Sequence, residues 1–173
     1  LKMVDILLLG IAIEEKSPIA TRSMFKNNPR ERIGSLCNYD GKIKVIEYSE
    51  LPEEMADAVD ENGELLYGES HIMCNLFNIE ALKIVSTKKL PYHMAYKKYS
   101  YIDSNLNLVV PEEPNAYKFE YFIFDSFEYF NKISILRGKR EEDFAPVKNA
   151  TGVDSPETAI KLYNDYWRKM GKI

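Results

Sequence analysis

Three short stretches carry side chains from which a binding or catalytic site could be built: VIEYSE at residues 45–50, AYKFEYFIFD at 116–125 and FAPVKNA at 144–150. The first ends a β-rich run with Glu47 and Tyr48. One carboxylate accepts two hydroxyl hydrogen bonds at once, which suits the vicinal diols of a sugar. By composition alone, the same pair is a solvated strand end. The second sets Lys118 just ahead of Phe122 and Phe124, where an ammonium could meet a phosphate while the rings exclude water and strengthen the attraction. Pattern alone describes it better as a core helix carrying a surface lysine. The third holds Lys148 in a loop between Pro146 and Asn149, a constrained place for a cation.

Self-contained catalytic signatures do not occur. The chain has no HExxH, GxSxG, P-loop, GxGxxG or zinc-type Cys/His spacing. His71 and His93 are the only histidines. With no Ser or Cys elbow beside them, both read as structural residues rather than catalytic bases.

The elements that must position these residues follow from periodicity and turn chemistry. Leu1 to Ile13 is an apolar run too short to separate strand from helix, and apolar enough to be buried. Pro18–Phe25 reads as a strand. Residues 33–50 read as a β-hairpin turning at Asp40-Gly41, a dipeptide that supplies positive φ to a tight turn. A helix is expected over 52–62, with Pro52 in its first turn and Gly63 ending it. Residues 71–77 read as a strand. Asn78 caps a helix over 79–88 whose Ile79, Leu82, Ile84 and Val85 suit one buried face. Residues 91–114 look irregular, while Phe119, Phe122, Ile123 and Phe127 fall at helical spacing. A last helix spans 156–168. Strands alternating with helices, together with the hairpin, argue for an α/β fold with a mixed sheet.

Composition narrows the partners. The 173 residues carry a net charge of −4, which disfavours duplex nucleic acid because counterion-driven binding needs a basic surface. It leaves room for a small phosphorylated ligand, which needs only one or two local cations. No apolar run approaches the roughly 20 residues of a membrane span. Two cysteines without a CxxC read as free thiols of a reducing compartment, so a cytoplasmic location is expected. The chain opens on LKMVDILLLG, with neither an initiator Met nor a polar lead-in, and reads as the interior of a longer polypeptide.

The motifs, taken together, resemble the eukaryotic-type UDP-sugar pyrophosphorylases, most of all their UDP-N-acetylglucosamine branch. That family carries EYSE after a strand pair, then PN-x-x-K-x-E-x-F-x-F-D, then EFxPxKN and an NPxTA-like tail. This chain has VIEYSE, EEPNAYKFEYFIFDSF, EEDFAPVKNA and DSPETA in the same order, over about residues 2–160. The resemblance implies a Rossmann-like nucleotidyltransferase fold, of which this chain is the C-terminal, sugar-side part. It implies that Glu47 and Tyr48 contact the sugar and that Gly34 lets the backbone approach it. Phe122 and Phe124 would line the sugar pocket. Lys118 would lie on the UTP side, and Lys148 would bind the sugar phosphate or diphosphate.

In that family the phosphate of a sugar 1-phosphate attacks the α-phosphorus of UTP in the presence of Mg²⁺, releasing pyrophosphate. Such a transfer relies on positioned cations more than on a strong base. The magnesium ligand and the nucleotide-binding half are expected before Leu1, so the chain alone is expected to be inactive. Its apolar start would then be partly exposed and prone to self-association. One departure stands out: Ser70-His71 occupies the place of the family's Gly-Asn, which puts an imidazole where an asparagine touches the sugar. The bottom-up reading also leaves two alternatives standing, a non-catalytic sugar-phosphate-binding module and an α/β interaction domain.

Overall fold

A computed structural model describes residues 5–172. Its first element, α1 (Ile6–Glu14), starts where the Asp5 carboxylate accepts from the Leu8 amide at 3.1 Å, which satisfies one of the unpaired donors of a helix N-terminus. Then follow β1 (Ile19–Phe25), β2 (Ser35–Tyr39), β3 (Lys42–Ile46), α2 (Glu53–Ala56), β4 (Glu69–Phe77), α3 (Ile79–Val85) and β5 (His93–Lys97). The second half holds β6 (Tyr101–Ile102), β7 (Leu108–Val109), β8 (Ala116–Glu120), a 3₁₀ segment (Ile123–Tyr129), β9 (Ser134–Arg137), α4 (Arg140–Asp143) and α5 (Pro156–Lys169).

Five strands form one sheet in the order β3-β2-β4-β1-β9. Only β1 and β9 run parallel; the other pairs are antiparallel, so the sheet is mixed as the sequence predicts. The β2–β3 hairpin turns at Asp40 (φ 52°) and Gly41 (φ 77°). Two consecutive positive φ values twist a two-residue turn the same way as its strands.

Two apolar clusters hold the sheet. Leu8 and Ala12 of α1 pack with Ala20 in one. Ile19, Leu36 and Val45 meet Ala81 and Val85 of α3, together with Phe124, Phe127 and Phe130, in the other. The second cluster matters for function, because the aromatic run lies against the same hairpin that ends in Glu47.

Several sequence expectations are corrected. The helix expected over 52–62 is a single turn, Glu53–Ala56. The Asp60 carboxylate accepts from the amides of Asn62 and Glu64, and Val59 bridges Leu65, so side-chain bonding diverts the backbone from a helix. In α3 the buried residues are Ala81 and Val85, whereas Ile79, Leu82 and Ile84 are exposed. The stretch around Lys118 is not helical: β8 pairs antiparallel with β5, and the chain turns into the 3₁₀ segment only after Phe122. Period-two alternation wins there, with Tyr117, Phe119 and Tyr121 more exposed than Lys118 and Glu120 between them. Residues 91–114, expected to be irregular, contain β5 and the small β6–β7 hairpin.

Of the apolar run Leu1–Ile13, residues 1–4 lie outside the described residues. In the remainder Leu8 and Ala12 are buried, while Ile6 and Ile13 stand 79% and 68% exposed. Among the described residues no helix is long and apolar enough to cross a membrane.

Candidate functional site

Glu47 and Tyr48 immediately follow β3, so the hairpin fixes where they emerge. Gly34, just before β2, lies directly across from them. A Cβ at Gly34 would come within 2.8 Å of Val45 Cγ1 and 3.2 Å of Glu47 Oε1. The lack of a side chain there is what lets the Glu47 carboxylate fold back over the sheet edge. Glu47 is partly buried, and burial first, then the neighbouring charge of Glu50, pushes its carboxyl above the ordinary range; His93 pulls the other way.

Tyr48 lines three cavities, and two of them hold other candidate residues. One, of about 370 Å³, is lined by Glu47, Tyr48, Glu50, His93, Tyr96 and Phe122 among others. The second, of about 920 Å³, is lined by Tyr48 together with Arg30, Arg32, Arg140 and Lys148. Glu31 sits in this wall as well, but Arg140 holds its carboxylate in two contacts of 2.6 and 2.7 Å. Lys148 Nζ donates to the Arg32 carbonyl at 2.7 Å, while the amides of Lys148 and Asn149 donate to the Asp154 carbonyl at 2.7 and 3.0 Å. The loop is thereby closed on itself, with its ammonium on the Arg32 backbone carbonyl and over the Phe144 ring.

Phe122 and Phe124 are both near the smaller cavity but do different things. Their rings stack at 4.8 Å and 17°. Phe122 lines the cavity, and Phe124, only 2% exposed, backs it from within the core. A regular helix would have sent residues two apart to different faces; the break from β8 into the 3₁₀ segment lets them stack.

His71 takes neither wall. It is 4% exposed, and its ring meets the edges of Phe124 and Phe127 at 5.3 and 5.7 Å. Its Nε2 lies 2.8 Å from Asn75 Oδ1, and burial holds the imidazole below its ordinary pKa. It therefore supports the aromatic wall from behind. Lys118 lines neither cavity. It stands on β8 opposite Ala95, with Nζ 2.6 Å from Glu120 Oε1, and this contact raises its pKa. Glu47, Tyr48 and Lys148 thus share two adjoining cavities, and Lys118 stands outside both.

Sequence reasoning missed His93, read there as structural. Its Nδ1 lies 2.8 Å from Glu50 Oε1 and its Nε2 2.9 Å from Asp125 Oδ2, and it lines the smaller cavity. The alternation of His93, Ala95 and Lys97 with Tyr92, Met94 and Tyr96 is the signal that could have placed it on one face of a strand.

Among the described residues no group of three or more His, Cys, Asp or Glu is arranged to hold a metal ion.

Comparison with known proteins comes from three directions. A family model described as UTP–glucose-1-phosphate uridylyltransferase matches residues 1–155. UDP-N-acetylhexosamine pyrophosphorylase-like protein 1 of Xenopus tropicalis is 35% identical over 163 residues, covering 91% of this chain and 32% of that protein. The UDP-N-acetylglucosamine pyrophosphorylase of Saccharomyces cerevisiae is 35% identical over 170 residues, covering 94% of this chain and 36% of the relative. The chain thus spans about a third of the length of the curated relatives it matches. An Entamoeba histolytica crystal structure, provisionally described as a UDP-N-acetylglucosamine pyrophosphorylase, superimposes with a TM-score of 0.80 at 30% identity, over 94% of this chain and 42% of that one.

Proposed function

Because the chain belongs to the UTP–glucose-1-phosphate uridylyltransferase family, we propose that it forms the sugar 1-phosphate side of an active site that makes a UDP-sugar and pyrophosphate from UTP. One observation carries this reading: Tyr48 stands between an acid-and-aromatic cavity and a basic one. A sugar 1-phosphate has the same polarity along its length. Its hydroxyls donate, and Glu47 is an acceptor placed beside the apolar face of Phe122. Its phosphate carries charge, and Lys148 and Arg32 offer cations with which to meet it, Arg140 and Arg30 being paired with Glu31 and Asp57.

The roles follow from chemistry. Glu47 orients the sugar ring through its hydroxyls. Tyr48 spans the junction, with a phenol that can donate to either side. Lys148 neutralises phosphate oxygens, which lowers the repulsion between a nucleophilic phosphate and the phosphorus it attacks. Lys118 would act toward the nucleotide, from its place on β8 outside both cavities. Magnesium would be held by residues other than those described here. The substrates are small molecules, with UDP-N-acetylglucosamine the favoured product because the relatives named above carry N-acetylhexosamine or N-acetylglucosamine in their names. The two free cysteines suit a reducing compartment, and the cytoplasm is the proposed location.

Calorimetric titration of the chain with N-acetylglucosamine 1-phosphate, glucose 1-phosphate and inorganic pyrophosphate tests the reading. Both sugar phosphates should bind, and Glu47→Ala should weaken them about tenfold, the size of one charge-assisted contact. Pyrophosphate binding should be unaffected by that change. Sugar phosphates that bind no better than pyrophosphate, or no worse to Glu47→Ala, would defeat the assignment of the smaller cavity.

A further inference from the structure

His93 ties two segments that wall the smaller cavity to the 3₁₀ segment behind it. Glu50 comes from the loop after β3, His93 from β5 and Asp125 from the 3₁₀ segment, separated by 43 and 32 residues from the histidine. Both ring nitrogens face carboxylate oxygens at hydrogen-bond distance, and an ionised carboxylate only accepts. Both nitrogens can be satisfied at once only if both carry a proton, which makes the ring a cation. The ring also lies 4.7 Å from Phe122, the apolar wall of the cavity.

Resting on the proposed sugar-phosphate reading, we propose that His93 is a positioning residue for the sugar. As an imidazolium clamped by Glu50 and Asp125 it holds β5 and Phe122 against the hairpin that carries Glu47.

The surrounding charges show why a cation belongs there. Glu47 and Glu50 face the ring from the β3 side, Asp125 from the 3₁₀ segment, and Glu120 is its cross-strand partner on β8. Of the nearby lysines, Lys44 pairs with Glu128 at 2.7 Å and Lys118 with Glu120 at 2.6 Å, while Lys97 lines the same cavity and Lys26 interacts with Glu47 from the buried side. Without the imidazolium, Glu50 and Asp125 would lose the donor they share, and the carboxylates of this wall would lose the cation that lies between them.

The sign is testable. Burial alone would lower the imidazole pKa, but the hydrogen bonds to Glu50 and Asp125 outweigh it, and the net shift is upward from 6.5. The clamp is therefore complete below pH 6.5 and opens as pH rises through the higher folded-state value.

The experiment pairs ¹⁵N-imidazole NMR of the full chain with titrations of UDP-N-acetylglucosamine, whose diphosphate does not titrate in this range. His93 should stay doubly protonated above pH 6.5, while His71, whose shift is downward, serves as the neutral internal reference. Wild-type affinity should fall about tenfold between about pH 6 and pH 8.5, the loss expected when a charge-assisted contact opens. His93→Gln should bind at the weaker level throughout that range. Glu50→Gln, at an exposed position that leaves the core untouched, should shift the affinity profile to lower pH and so repeat the result if His93→Gln fails to fold.

A His93 that is neutral at pH 6.5, or an affinity that ignores pH in the wild type, would overturn the clamp. Absence of binding at every pH, with His93 still doubly protonated, would instead overturn the sugar-phosphate reading and, with it, the clamp's role toward a sugar.

Discussion

The cavity beside Glu47 is walled largely by regular structure: the end of β3, the β5–β8 pair and the entry to the 3₁₀ segment. The cavity beside Lys148 is walled by loops on both sides, the one after β1 and the one before α5. The first wall is fixed by packing, because Phe122 stacks on Phe124 and Phe124 belongs to the core. The second is fixed by polar contacts, among them Arg140 on Glu31 and Lys148 on the Arg32 carbonyl. The two halves of the proposed sugar 1-phosphate ligand would make correspondingly different demands. A hydroxyl is told from its epimer by direction, which needs an acceptor held rigidly. A phosphate is held by charge at short range, which tolerates a mobile donor on a loop. The contrast predicts that changes on the two sides should separate into effects on selectivity and effects on charge.

The largest separation should come from Lys148→Ala in the proposed uridylyltransferase of which this chain would form the sugar side. A charge-assisted contact to phosphate oxygens is worth about 1.5–3 kcal/mol, or roughly 10- to 150-fold in rate if it is made in the transition state. The side chain is exposed, so the thermal midpoint should hardly move. Lys148→Arg should recover only part of the loss, because a planar fork does not replace a compact ammonium. Pyrophosphate release measured across several sugar 1-phosphates should fall by the same factor for each. A change in the ranking of sugars would mean that the basic cavity reads the sugar too, and the division would collapse.

Gly34→Ala attacks the other side. The added methyl would meet Val45 Cγ1 at 2.8 Å and Glu47 Oε1 at 3.2 Å. Overpacking of this kind costs about 1–3 kcal/mol in stability, and here the shift also displaces the proposed sugar acceptor. The denaturation midpoint should fall, and sugar 1-phosphates should bind more weakly while pyrophosphate binds as before. If pyrophosphate affinity falls equally, the two walls are mechanically one unit.

Legibility in the sequence followed the range of the forces involved. Local chemistry was readable: Asp40-Gly41 announces its turn, and Asn78 announces its cap, accepting from the Ala81 amide at 2.6 Å. The β8 segment misled because its aromatics satisfy a helical spacing and a two-residue alternation at once. Pairing with β5, a long-range event, decides between them. Val59 and Asp60 likewise sit in a stretch with helical propensity that the Asp60 side chain and the bridge to Leu65 pull into a turn. The proposed site was legible mainly through motif resemblance, since Glu47 and Lys148 carry no local signal of their own. The role of His93 was illegible, because Glu50 and Asp125 reach it only through the tertiary fold.

The smallest predicted effect is the most diagnostic of the loop-built wall. Ser155 is 1% exposed and caps α5, in a capping box where its hydroxyl accepts from the Thr158 amide at 3.4 Å and Thr158 Oγ1 accepts from the Ser155 amide at 2.9 Å. It immediately follows Asp154, the residue whose carbonyl gathers the Lys148 and Asn149 amides. Ser155→Ala removes one acceptor and should cost about 1 kcal/mol, or roughly 2–4 °C in the thermal midpoint for a chain of this size. If the cap also fixes Asp154, the Lys148 loop loosens with it. Pyrophosphate affinity should then drop two- to threefold, of the order expected from a few tenths of a kcal/mol, while the affinity ratio between two sugars stays constant. Ser155→Thr, which keeps the hydroxyl, should restore both quantities. A variant that melts earlier yet binds pyrophosphate unchanged would show that the Lys148 loop is held by its own backbone contacts, and that α5 only supports the fold.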